Sequence, residues 1–123
     1  MIARFLIYAL CMTFYVCGAH AQNVGVGIVC DTQAQLETYY SLTAHGLGQS
    51  DAIQTVNVDA KGNACVMAMV VYHRGKTVTT MNSPNGHIDI VEILVVVVHL
   101  NGEWAEVAPT IQYTGFFTKD EAA

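Results

Sequence analysis

Residues 87–100 (His-Ile-Asp-Ile-Val-Glu-Ile-Leu-Val-Val-Val-Val-His-Leu) restrict the possible folds more than any other stretch of this chain. The segment is shorter than the roughly twenty apolar residues that a membrane-spanning helix needs. Its valines and isoleucines lose rotamer freedom in a helix, so helix is also the disfavoured state within a domain. The first half alternates, with Ile88 and Ile90 set against His87 and Asp89. The second half, 93–98, is apolar without a break. A continuous β-branched run reads as a central strand covered on both faces. The rest of the chain must then supply partners for its edges and cover for its faces.

The partners follow from the turn signals. Asn82-Ser83-Pro84-Asn85-Gly86 precedes the run and Asn101-Gly102 follows it; Asn-Gly is a favoured hairpin pair. Residues 64–73 read as a strand, Arg74-Gly75-Lys76 as a tight connection, and 77–81 as the strand returning from it. After Asn101-Gly102, residues 103–107 and 110–117 read as strands broken at Pro109. Upstream, 24–30 reads as a short strand. Thr32 with Gln35 three residues on fits a capping box. Leu36, Tyr39, Tyr40, Thr43 and Leu47 recur at helical spacing, which predicts a helix from 32 to about 44, ended by Gly46 and Gly48. A second short helix, capped by Ser50 or Asp51, buries Ala52, Ile53 and Val56, and Lys61-Gly62-Asn63 is a turn. The expected fold is α+β: an N-terminal strand and one or two helices packed on a four- to five-stranded, mainly antiparallel sheet. The alternative is a small curled β-barrel with the helix as a plug or lid.

Residues 1–21 stand apart. Arg4, the apolar stretch 5–16 and Gly18-Ala19-His20-Ala21 have the three-part layout of a secretory signal peptide cut after Ala21. The apolar part is about a dozen residues, short for an anchor. Tyr15 and Val16 before Cys17 do not fit a lipoprotein signal. The expectation is one domain over 22–123, exported to the periplasm or the exterior, with no stable membrane span once the leader is removed. Cys30 and Cys65 then meet an oxidising compartment. One structural disulfide is the expected outcome; two buried thiols or a redox pair are the competing ones. The chain has no Cys-x-x-Cys, which argues against redox chemistry.

The whole chain carries a formal net charge of −5, and past the leader its cations are Lys61, Arg74, Lys76 and Lys119. Nucleic-acid binding draws on clustered cations that displace counterions, and no such cluster exists here.

Chemistry is sparse. His87 and Asp89 share a face of a regular strand, with Glu92 near them, and these three form the nearest approach to an acid/base site. Solvated strand-end residues are the plainer reading of them. No metal site and no cofactor is expected: the histidines lack metal-ligand spacing, and Gly25-Val26-Gly27 lacks the third glycine of a dinucleotide loop. No serine has a Gly-x-Ser-x-Gly setting. The aromatic residues are more suggestive. Tyr40 on the first helix, with Trp104 and Tyr113 near Phe116 and Phe117 at the C-terminal end, could fill the core or form a binding patch.

Val29-Cys30-Asp31-Thr32 with Gln35 and Glu37, Ala52 with Val56-Asn57, Ala64-Cys65, Ile90-Val91 with Ile93, and Pro109 with Gln112-Tyr113-Thr114 span most of the chain past the leader. In these residues it resembles a group of small exported proteins of gram-negative bacteria. The resemblance implies a periplasmic or secreted protein and pairing of the two cysteines. That group has no assigned activity, so no catalytic residue carries over. The expected function is a non-enzymatic binding or interaction domain with a periplasmic or cell-envelope protein as partner. The alternatives are a small hydrolase or ligand-binding enzyme using His87, Asp89 and Glu92, or a peptidase inhibitor presenting residues 82–86. A dimer through an edge strand in 93–98 is a further possibility.

Overall fold

The computed structural model describes residues 22–119; the expected leader lies outside the described residues. Six elements follow one another: β1 (Gln22–Cys30), α1 (Gln33–Ala44), α2 (Gln49–Ala60), β2 (Cys65–Ser83), β3 (Gly86–Leu100) and β4 (Glu103–Lys119). Two helices packed on a four-stranded antiparallel sheet make the fold α+β, as expected. The sheet also curls until its ends meet, in the order β1-β2-β3-β4 and back to β1. The closing seam is short: Val29 pairs with Thr114 and Cys30 with Tyr113. The buried Thr114 hydroxyl reinforces it by donating to the Ile28 carbonyl at 2.7 Å.

The β-branched run occupies the position its composition requires. Apart from Val96, every residue of 93–98 pairs with β2 on one side and with β4 on the other, so the run is central. That corrects the expectation that this run could offer an edge to a second chain.

The sheet has two faces with different cores. Ile28, Cys30, Cys65 and Ile90 pack outward against Leu36 and Tyr39 of α1 and Ala52 and Val56 of α2. Val70, Tyr72, Val91, Ile93 and Val95 pack inward with Val98, Val107 and Phe116, a cluster made from strands alone. The helices therefore lie on the outside of the curled sheet and do not plug it.

Strand lengths were underestimated by the turn signals. Arg74-Gly75-Lys76 is not a connection: β2 runs through it, with pairing shifts between Arg74 and Thr77 and again between Thr77 and Thr79. The bulge sits tight against its neighbour, since a Cβ on Gly75 would lie 2.6 Å from the Glu92 carbonyl oxygen. Glycine permits that approach, and the strand kinks where a reversal was expected. Pro109 likewise bends β4 without ending it. Val95 pairs with Thr110 and Val97 with Glu106, so residues 107–109 bulge opposite Val96.

Both helices start close to the expected places. Thr32 and Gln35 form the capping box reciprocally, with Gln35 N–H donating to Thr32 Oγ1 at 3.2 Å and Thr32 N–H to Gln35 Oε1 at 3.1 Å. The second cap differs: α2 begins after Gly48, which offers no side-chain acceptor, and runs to Ala60. Leu47, expected on the buried stripe of α1, lies beyond the end of that helix and is exposed. Lys61 closes α2 in a left-handed conformation with φ 59°.

Candidate functional site

The acid/base trio does not assemble. His87 and Asp89 lie two apart on β3, and His87 Nε2 is 3.8 Å from Asp89 Oδ1. Thr80, directly across on β2, donates its hydroxyl to Asp89 Oδ1 at 2.8 Å. Glu92 is an odd number of residues away on a stretch that pairs regularly with β4, so its side chain leaves the sheet on the opposite face. Among the described residues no three of His, Cys, Asp and Glu gather where a metal ion could be held. What remains is a half-exposed His–carboxylate pair at the hairpin end, held in place by a threonine. It could exchange a proton, but it lines none of the recesses described below.

The hairpin beside it is tight. Ser83 pairs with Gly86, which leaves Pro84 and Asn85 as the turn. The segment 82–86 is thus mostly strand-bound.

The two cysteines are bonded. Cys30 and Cys65 are cross-strand partners in the β1–β2 register, with Cα atoms 4.1 Å apart and a disulfide between them. Asn57, on α2, braces the same point. Its Nδ2 donates to the Cys65 carbonyl at 2.9 Å and its Oδ1 accepts from the Cys65 N–H at 2.8 Å. The first residue of β2 is thereby tied to β1 by sulfur and to α2 by a side-chain amide.

The aromatic residues do not form one patch. Tyr39 is buried, and Tyr40 is half-buried with its ring edge-on to Tyr39 at 5.1 Å between centroids. Tyr40 reaches the sheet at Gly115, where any Cβ would collide with its phenol. Burial, and then the charge of neighbouring Tyr39, push the Tyr40 hydroxyl up to about 12 from its ordinary 10.0. Tyr113 packs beside this contact in the outer core. Phe116 turns inward, 6.4 Å from Tyr72, and carries the Arg74 guanidinium 4.3 Å above its ring. Phe117 is exposed. Trp104 stands at the far end of β4, its ring edge-on to His99 at 4.9 Å. Alternation along β4 sends Phe116 inward and leaves Tyr113 and Phe117 on the outer face, and the length of the strand separates Trp104 from them.

The strongest surface feature is one that the sequence reading passed over. A Cβ on Gly25 would point at the Tyr72 ring, on the inner face of the sheet. Val24 and Val26 therefore project outward, and they are 66% and 69% exposed. Val26 pairs with Met69 and Ile28 with Met67, so both methionines share that outer face. Val70 pairs with Val98, which sets Met69 beside His99 and its partner Trp104. Val24, Val26, Met67, Met69 and Trp104 thus present a largely apolar outer surface that α1 and α2 leave uncovered. Alternating Val-Gly-Val-Gly and Val-Met-Ala-Met were the signal for it, because in each the large residues fall on one face.

Two recesses among the described residues bear on function. One lies at an end of the curled sheet, has a volume of about 250 Å³ and is lined mainly by valines and alanines. The other, about 490 Å³, lies between the C-terminal half of α1 and the β2–β3 hairpin, bordered by Tyr40, Ser41, Thr43, Met81 and Asn82.

No family model, no curated protein and no solved structure matches this chain.

Proposed function

We propose that this chain is an exported, non-enzymatic interaction domain of the periplasm or the cell exterior, which engages a periplasmic or cell-envelope protein. The observation that carries this reading is the uncovered outer face formed by Val24, Val26, Met67, Met69 and Trp104. Large apolar side chains gathered on one face mark surfaces that a partner covers, and methionine and tryptophan are enriched at the centres of such interfaces. The disulfide favours an oxidising compartment. No helix among the described residues is long and apolar enough to cross a membrane.

Photo-crosslinking tests the reading directly. A photoreactive residue replaces Val26 in cells that express the chain, and a second version carries it at Thr55 on the exposed side of α2. The expected result is one prominent adduct with an envelope protein from position 26, absent from position 55 and lost when Met69 is changed to Lys. Equal, diffuse labelling from both positions would refute it.

A further inference from the structure

The two ends of the curled sheet are finished differently. At one end Tyr72, Phe116 and the Arg74 guanidinium stacked on Phe116 occupy much of the interior. At the other end it is open. There the side chains entering from β2 are Val66, Ala68 and Val70, from β3 Val95 and Val98, and from β4 Val107. Valine and alanine are too short to meet across the gap, and the space left is about 250 Å³. The β4 bulge at 107–109 borders this opening.

The polar side chains of its lining are few. They are Asp31, Thr110 and Gln112, and Asp31 is the one charged side chain in the lining. Gln112 Nε2 donates to Asp31 Oδ1 at 3.1 Å, which fixes the carboxylate at the mouth. Asp31 is placed independently by its own N–H, which donates to the Ala64 carbonyl at 2.9 Å. An apolar recess with a few convergent polar groups at one side is the usual form of a small-molecule site.

We propose that the open end of the barrel binds a small cationic amphiphile: a primary aliphatic amine whose tail fills the valine-lined recess and whose ammonium group lies against Asp31. A recess of this volume accommodates a short aliphatic chain. The acidic rim selects the cation over a carboxylate of equal length, because an anionic head would meet Asp31 with like charge. This site opens into the inner face of the sheet. It is separate from the outer face assigned to a protein partner, and the two readings stand or fall independently.

The test uses n-heptylamine, 1-heptanol and heptanoate as probes on the oxidised protein, followed by calorimetry and by amide and methyl NMR. Saturable binding of heptylamine is expected, with shifts concentrated at residues 66–70 and 95–98. Intermolecular NOEs should run from the probe's terminal methyl to Val70 and Val98. Heptanoate should bind more weakly than heptanol. Asp31→Asn should lower heptylamine affinity about tenfold, the size of one charge-assisted hydrogen bond, and leave heptanol unchanged. Ala68→Phe and Val98→Phe, each filling the recess, should abolish binding. The NOEs need no variant, so a filled protein that fails to fold does not remove the test. No saturable binding of heptylamine, equal affinity for heptanoate, NOEs to other residues, or unchanged amine affinity in Asp31→Asn would each overturn the proposal.

Discussion

The side-chain amide of Asn57 makes both hydrogen bonds to the backbone of Cys65, donating to its carbonyl and accepting from its N–H. The amide thereby serves Cys65 as a neighbouring strand would, in the place where α2 crosses the start of β2. Both bonds are partly buried, so their loss leaves an unpaired donor and an unpaired acceptor.

Replacing Asn57 with Ala should therefore cost about 2 kcal/mol, read as a lower urea midpoint with an unchanged slope. Asn57→Asp keeps the acceptor for the Cys65 N–H but turns a carboxylate oxygen toward the Cys65 carbonyl, and should be no better than Ala. Asn57→Asp at wild-type stability would mean that the donor bond contributes nothing.

The disulfide should contribute more. It joins residues 35 apart in sequence. In the chain-entropy account, closing such a loop restricts the unfolded state by about 3–4 kcal/mol. Urea unfolding with and without dithiothreitol should show a difference of that order, and the double variant Cys30→Ala/Cys65→Ala should match the reduced protein. An unchanged midpoint on reduction would show that the strand pairing and the Asn57 brace suffice alone.

Tyr40 supplies a pH dependence. Its hydroxyl ionises at about 12 when folded, against 10.0 ordinarily, because burial and then Tyr39 oppose the phenolate. Below pH 10 both folded and unfolded chains keep the proton, and this contribution is fully present. As pH rises from about 10 to about 12 the unfolded chain loses its proton first, and stability falls by about 2 kcal/mol after allowance for partial exposure. Burial raises Tyr39 in the same direction, adding to the loss. Stability measured across this alkaline range should decline less steeply in Tyr40→Phe than in wild type.

Local sequence rules reached a good part of this fold. The Thr32/Gln35 capping box, the Asn82 to Gly86 turn signal, the Asn101-Gly102 turn and the β3 run all come from signals only a few residues long, and the structure honours each of them. The errors arise where a local signal met a longer-range one. Gly75 is a turn residue in isolation, yet β2 continues through it because β3 offers backbone partners on both sides of the kink. Ser50 and Asp51 are good caps, but α2 is capped two or three residues earlier, at Gly48, where packing of Ala52 and Val56 sets its position. The site suffered from the same limit. Closeness in sequence suggested that Glu92 joins His87 and Asp89 and that four aromatics cluster, whereas strand alternation sends Glu92 and Phe116 to the opposite face from their neighbours and the length of β4 removes Trp104. The recess at the open end of the sheet draws Asp31 and Gln112 together across 81 positions, a distance over which no short motif carries information.

The valine run of β3 has a consequence for how the molecule is made. Four consecutive valines with no charge between Leu94 and His99 are the kind of segment that stacks into amyloid when left bare. In the finished sheet both sides are occupied, but the second occupant, β4, comes later in the chain than the run itself. Until β4 docks, one flank is open to the same stretch of another molecule. Dilution or a holding chaperone during that interval should decide the yield of soluble protein more than any contact in the native state does.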